Sequence, residues 1–196
     1  MPPSLDLPLH TPRLCLRDFL PTDLQAIHAY ASDPEVMRFM WYGPRDEADT
    51  RAYLQRMRQS QGECPRRTWE LAVTQRADGR LIGACDLTLD NAHEGDLGYI
   101  FAREAWGQGY ASEAARAMVD AGFAQLQLDR IFAICAVEHG TSARVLEKSG
   151  LRRRTVLHCS KEAKGRWWNV WLYDLTRADW HAAAVSRLHT ADMDCR

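Results

Sequence analysis

Hydrophobic and polar positions repeat with two different periods along this chain. After Thr11-Pro12, the run Arg13-Leu14-Cys15-Leu16-Arg17 has an apolar side chain at every second position, the pattern of a half-buried first strand. Thr22, followed by Asp23, reads as the N-cap of a helix carrying Leu24, Ile27 and His28. That helix should stop near Ser32-Asp33, because Pro34 disfavours helical backbone at the residue before it. A second helix follows Gly43-Pro44, with Asp46, Glu47 and Asp49 early and Arg56 and Arg58 late, the order the helix dipole favours. Alternation returns at Trp69, Leu71 and Val73. Ala77-Asp78-Gly79 supplies turn chemistry, and 81–89 comes back as the second arm of a hairpin.

A shorter strand covers 96–101. A turn containing Gly107 and Gly109 leads into a helix to about Leu126, with Ala115, Met118, Gly122 and Leu126 on one face. Residues 131–137 are apolar throughout, as in a central strand covered on both sides. A short helix over 141–149 ends at Gly150, strands follow at 155–159 and 169–175, and a last helix covers 176–186. The order predicts an α/β domain with a single mixed, mostly antiparallel sheet of about seven strands flanked by helices. No repeat or linker divides the chain, so one domain spans 1–196, with 1–8 and 190–196 as loose tails.

Composition narrows the function classes. The 196 residues are 46% hydrophobic and 26% charged, enough to bury a self-sufficient core and unlike disordered or fibrous chains. A net charge of −1 argues against a nucleic-acid partner, and Arg152-Arg153-Arg154 reads as a solvated strand face. There is neither an apolar run of about 18 residues nor a basic stretch leading into one, so the expectation is a cytoplasmic protein with no membrane partner. The six cysteines include no Cys-x-x-Cys pair, and the seven histidines include no His-x-x-x-His pair, so no metal is expected. Cys15, Cys85 and Cys135 fall in strand-like runs and read as core.

The chemistry concentrates between Asp96 and Glu113. Gly107-x-Gly109-x-Ala111 lets a ligand approach the backbone, and the helix it opens presents unpaired N–H groups and partial positive charge to an anion. A Walker loop is absent, and a Rossmann fingerprint would have to open a βαβ unit rather than follow a hairpin. A phosphate held by backbone amides without metal is the best fit; a tight connection with no ligand is the alternative.

The string Trp106-Gly107-Gln108-Gly109-Tyr110-Ala111-Ser112-Glu113-Ala114 resembles the acyl-CoA pyrophosphate loop of the GNAT superfamily of N-acetyltransferases. The likeness is greatest to the RimJ/RimL-like branch of ribosomal-protein N-terminal acetyltransferases. It extends in register through Thr11-Pro12-Arg13-Leu14, Ser32-Asp33-Pro34-Glu35-Val36, Leu81-Ile82-Gly83, Leu97-Gly98-Tyr99, Ser142 to Gly150, and Tyr173 to Trp180.

The resemblance implies a GNAT fold whose strands four and five splay apart around acetyl-CoA. It implies that the backbone of Tyr99, Ile100 and Phe101 pairs with the pantetheine arm and polarises the thioester carbonyl. It likewise implies that Trp106, Gly107, Gln108, Gly109, Tyr110, Ala111 and Ser112 surround the pyrophosphate. Asp96 stands where relatives carry a Glu and becomes the expected base or amine anchor. Glu113 reads as a first-turn helix carboxylate rather than a catalyst.

Two departures stand out. His139 replaces the Asn that bonds pantetheine, and is expected to donate the same hydrogen bond, with a base near neutral pH as the other reading. Leu146 stands where many members have an acidic Tyr, leaving Ser142, water or nothing to protonate the thiolate.

The resemblance implies a primary amine as acceptor, on a peptide N-terminus or on a small metabolite or antibiotic. Trp41, Tyr42, Trp167, Trp168 and Trp171 are candidate walls of its cleft. A non-catalytic acyl-CoA-binding module is the reading from outside the enzyme class, and the sequence permits a homodimer.

Overall fold

The computed structural model describes residues 4–183. One sheet of eight strands runs through it in the order β1-β2-β3-β4-β5-β6-β8-β7. The strands are β1 (Leu9–His10), β2 (Leu14–Arg17), β3 (Thr68–Gln75), β4 (Leu81–Leu89), β5 (Glu94–Phe101), β6 (Arg130–Ala136), β7 (Arg152–Ala163) and β8 (Arg166–Thr176). The expected seven are all present, and β1 is the addition. The helices are α1 (Leu24–Ala31), α2 (Glu47–Ser60), α3 (Tyr110–Ala124) and α4 (Gly140–Lys148). Residues 177–183 are helical; the expected continuation to Ser186, the tail 190–196 and Cys195 lie outside the described residues.

Several expectations change in detail. Residues 4–8 are not a loose tail: Leu5 is buried in the core, and the Asp6 N–H donates to Gln125 Oε1 at 2.7 Å. A 3-10 turn, Pro21–Asp23, precedes α1, and Asp23 rather than Thr22 holds its start. The Asp23 carboxylate accepts from Leu20 N–H at 2.7 Å and from Arg17 Nη1 and Nη2 at 2.7 and 2.9 Å. The last two strands form a hairpin much longer than 155–159 and 169–175, closed at Lys164-Gly165, where both residues have positive φ. The arginine run lies on its outer strand, with Arg154 paired to Asp174 and Arg152 to Asp179. Of the cysteines expected in the core, Cys85 and Cys135 are buried and Cys15 is half-buried.

Side chains alternate across the sheet, and each face is covered differently. Leu16, Leu71, Leu87, Met118, Phe123 and Ile131 belong to the main core, where α3 and α4 cover one face. On the other face Ala72, Ala84 and Ile27 join Tyr30, Met37 and Tyr53 beneath α1 and α2. Trp69 is 1% exposed in the main core. Replacing it with Ala should cost about 3–5 kcal/mol of stability, read from urea unfolding, because the fixed strands around it cannot collapse into the hole.

Candidate active site

Every strand pair in the sheet is antiparallel except β5 with β6. That parallel join holds only Glu94↔Arg130, Gly95↔Ile131 and Asp96↔Phe132. Beyond Asp96 the strands diverge. β5 stays paired with β4 through Gly83↔Phe101, and β6 stays paired with β8 through Ala136↔Val170. Residues 97–101 therefore display one backbone edge along a wedge, the splay expected for strands four and five. Tyr99, Ile100 and Phe101 lie on that edge.

The Tyr99 side chain reaches from β5 to the first turn of α4. Its hydroxyl donates to the Ser142 carbonyl at 3.0 Å and lies 2.8 Å from Ser142 Oγ. Burial pushes the Tyr99 hydroxyl far above its usual range, so it stays protonated, with Ser142 opposing that shift. Ser142, expected in cofactor binding and thiolate protonation, is buried in this contact. No sequence signal marked the pair, because its members lie far apart in the chain.

At the wide end of β5 the chain turns through Gly107 and Gly109, with φ of 74° and 81°. Gly109 is the N-cap residue of α3 and offers no side chain to cap it. The first backbone bond at this end runs from Glu113 N–H to the Gly109 carbonyl at 3.0 Å. The N–H groups of Tyr110, Ala111 and Ser112 are thus left for an external acceptor. Trp106, half exposed, anchors the turn by donating from Nε1 to the Phe101 carbonyl at 2.8 Å. Gln108 Nε2 donates to the Glu104 carbonyl at 2.6 Å.

The turn between β1 and β2 braces the glycine turn. Glu113 accepts from Thr11 Oγ1 at 2.6 Å, Arg13 N–H at 2.9 Å and Arg13 Nε at 2.6 Å, while Arg13 Nη1 donates to the Gln108 carbonyl at 2.9 Å. Burial raises the Glu113 carboxyl, but the bonds from Thr11 and Arg13 outweigh it and hold the pKa below its ordinary value. Glu113 thus ties the first turn of α3 to Thr11 and Arg13.

Asp96 sits where the β5–β6 pairing ends. Burial, reinforced by Asp90 and opposed by Lys161, pushes its carboxyl up to about 6. His139 lies just before α4, its ring stacked on Phe39 at 4.2 Å and 14°. Burial and the nearby Arg38 lower it to about 4, so the imidazole is neutral at pH 7. Of the candidate cleft aromatics, Trp41 packs edge-on to Trp168 at 6.2 Å, and Tyr42 is exposed beneath Arg45. Trp167 is solvent-facing, and Trp171 packs on the opposite face with the main core.

On the α1/α2 face, Glu70 pairs across the sheet with Asp86, and Asp86 with Gly98. Neither carboxylate stands out in the sequence, where Glu70 reads as a polar position of an alternating strand and Asp86 lies within the second arm of the hairpin. Tyr53 of α2 donates a short hydrogen bond to Glu70. Burial raises both carboxyls, with Asp86 adding to the effect on Glu70 and Asp96 to that on Asp86.

A mixed sheet opened between two parallel strands, with a glycine turn and free helix N–H groups at the mouth of the opening, is an arrangement suited to an acyltransferase. The acetyltransferase (GNAT) domain family matches residues 13–152, and the chain belongs to that family. The uncharacterised N-acetyltransferase YnaD of Bacillus subtilis (strain 168) is 31% identical over 172 residues, covering 87% of this chain and 98% of YnaD. A GNAT-family acetyltransferase from Bacillus anthracis superposes with a TM-score of 0.76 at 28% identity, covering 91% of this chain and 99% of that one. The spermidine N-acetyltransferase of Vibrio cholerae, solved in complex with CoA and spermine, gives 0.74 at 22% identity over 87% of this chain and 99% of that one. This chain is an acyltransferase of that family. No helix among its described residues is long and apolar enough to cross a membrane.

Proposed function

We propose that the chain is an acetyl-CoA-dependent N-acetyltransferase that acts on a primary amine by direct attack in a ternary complex. The observation that carries this is the wedge: an unpaired β5 edge with amides free to take an anion at one end and Asp96 at the other. The residues present suit acetyl-CoA, since the free edge of 97–101 can accept an extended arm and an added Cβ at Gly107 would meet nothing within 4 Å. Bound there, acetyl-CoA supplies an activated acetyl thioester.

The amides of Tyr110, Ala111 and Ser112 hold the pyrophosphate, with Trp106, Gly107, Gln108 and Gly109 shaping the approach. A backbone N–H among Tyr99, Ile100 and Phe101 polarises the acyl carbonyl. Asp96 accepts the amine proton, and its raised pKa brings it near the pH at which a base is most effective. Ser142, held by Tyr99, would supply a proton to the departing sulfur, and His139 would donate a hydrogen bond to the pantetheine arm. The shared motifs support a place in the RimJ/RimL-like branch, which includes enzymes for protein N-termini and for small amines.

Acetyl-CoA turnover tests this against short peptides with varied N-termini and against small amines, with free CoA read by mass spectrometry. CoA release stimulated by either panel is the expected result. Tight acetyl-CoA binding with no release by any amine would overturn the transferase reading.

A further inference from the structure

Most acids that this fold buries or half-buries are paired with arginine. Asp23 is held by Arg17, Asp174 by Arg130 and Arg154, and Glu113 by Arg13. Glu70, Asp86 and Asp96 differ. Among the described residues none of the three makes an ion pair, and the Asp86 and Asp96 carboxylates accept no hydrogen bond there. All three are half-buried rather than sealed, so their oxygens remain within reach of a ligand.

Alternation places them on one face. Ala72, Ala84 and Ile100 are paired across β3, β4 and β5, and all three pack beneath α1 and α2. Two residues along, the same face carries Glu70, Asp86 and Gly98, and a further two along it carries Asp96. Gly98 makes room for its neighbour, since a Cβ there would lie 2.3 Å from Asp86 Oδ1. The carboxylates form a row rather than converging on one point as a metal ion's ligands must.

Tyr30 of α1 gives an independent pointer to a ligand. It is 3% exposed, and its hydroxyl has no hydrogen-bond partner among the described residues. Tyr30 packs with Tyr53, Ala72 and Ala84 in the layer beneath α1 and α2, on the face that carries the row, and Tyr53 itself donates to Glu70. An unpaired buried hydroxyl costs about 1–3 kcal/mol unless something arrives to bond it.

Positive charge near the row is sparse. Arg45 lies over the rings of Tyr42 and Tyr53 at 4.4 and 4.0 Å, and Lys161 lies 5.8 Å from the Trp41 ring. Asp90 adds further negative charge beside Asp96.

We propose that Glu70, Asp86 and the Tyr30 hydroxyl form a subsite for a second, protonated amine, making the acceptor a small diamine or polyamine whose reacting amine lies at Asp96. The proposal rests on the transferase reading above and names its acceptor. Asp86 and Asp96 are diagonal neighbours on adjacent antiparallel strands, about 7–8 Å apart, which suits an alkyl spacer of about four methylene groups. The arriving ammonium restores ionisation to carboxyls that burial keeps partly protonated, and its N–H groups give Asp86 and Tyr30 the partners they lack.

The test compares n-butylamine with 1,4-diaminobutane in the full-length protein, as wild type, Glu70→Gln, Asp86→Asn and Tyr30→Phe. The wild type should favour the diamine in kcat/KM by about tenfold or more. Glu70→Gln and Asp86→Asn should raise KM for the diamine about tenfold, and cost it far more than the monoamine, without lowering Tm. Tyr30→Phe should raise the diamine KM about threefold while leaving Tm unchanged or higher; a merely structural tyrosine would leave KM alone.

Equal use of the two amines by the wild type, or equal losses for both in the variants, would overturn the subsite. So would acetylation confined to peptides, with the transferase reading intact. If acetyl-CoA binds but no amine is acetylated, the transferase reading falls. Calorimetric titration of the CoA-saturated protein with 1,4-diaminobutane then decides the subsite. Binding weakened by Glu70→Gln supports it, and no binding overturns it.

Discussion

Gly109→Val should weaken acetyl-CoA binding about a hundredfold by calorimetry, whereas Gly109→Asn should keep most of it. The difference comes from backbone conformation. Gly109 has φ of 81°, a region in which a β-branched residue is strained and Asn is tolerated. Crowding within the protein is not the reason, because an added Cβ would meet only Arg13 Nη2, at an ordinary 3.5 Å. Valine would pull the turn toward negative φ and swing the Tyr110, Ala111 and Ser112 amides off their common aim, removing the anion site. If Asn lost binding as fully as Val, close approach of the ligand would be what demands glycine. Unchanged binding in Gly109→Val would remove the pyrophosphate from this turn altogether.

Asp96→Asn should lower kcat by about 10²–10³ while leaving the acetyl-CoA Kd where it was. The side chain is nearly isosteric but cannot accept the amine proton. The pH profile supplies a second signature. Because burial raises Asp96 from 3.8 to about 6, the basic form is lost as pH falls through about 6. Wild-type kcat/KM should therefore fall on the acid side with an inflection near that pH, and the variant should lack it. An Asp96→Asn enzyme with full activity, or one that retained the inflection, would place the base elsewhere.

Much of the architecture was legible because local chemistry and global fold agree. Ala77-Asp78-Gly79 announced the β3–β4 hairpin, the uniform apolar run 131–137 announced the central β6, and Gly107 and Gly109 announced the tight turn that opens α3. The far hairpin was read too short, since β7 begins with three arginines and its exposed positions break the alternation that marks a half-buried strand. β1, only two residues long, carries no period at all.

Within the site, backbone roles could be placed from the motif, while side-chain partnerships could not. Tyr99 meeting Ser142 depends on how α4 packs on β5, a long-range fact. Glu70 and Asp86 were passed over because a polar residue at every second strand position ordinarily faces water. A clue was present in the same strands: Ala72 and Ala84 occupy that polar face, and small apolar residues there mean that a layer of helix covers it. A carboxylate beneath such a layer is seldom merely solvated.

The narrow join between β5 and β6 has one more consequence. Across it, the ladder of strands 1 to 5 meets that of strands 6 to 8 through three backbone pairs. A thioester arm lying along the free edge would act as a missing rung between two half-sheets. Ligands that bind only the folded state raise its stability by mass action, by about 2.7 kcal/mol at a hundred times Kd. The integrity of the sheet, and with it the protein's lifetime against proteolysis, would thus rise and fall with the supply of acyl donor around it.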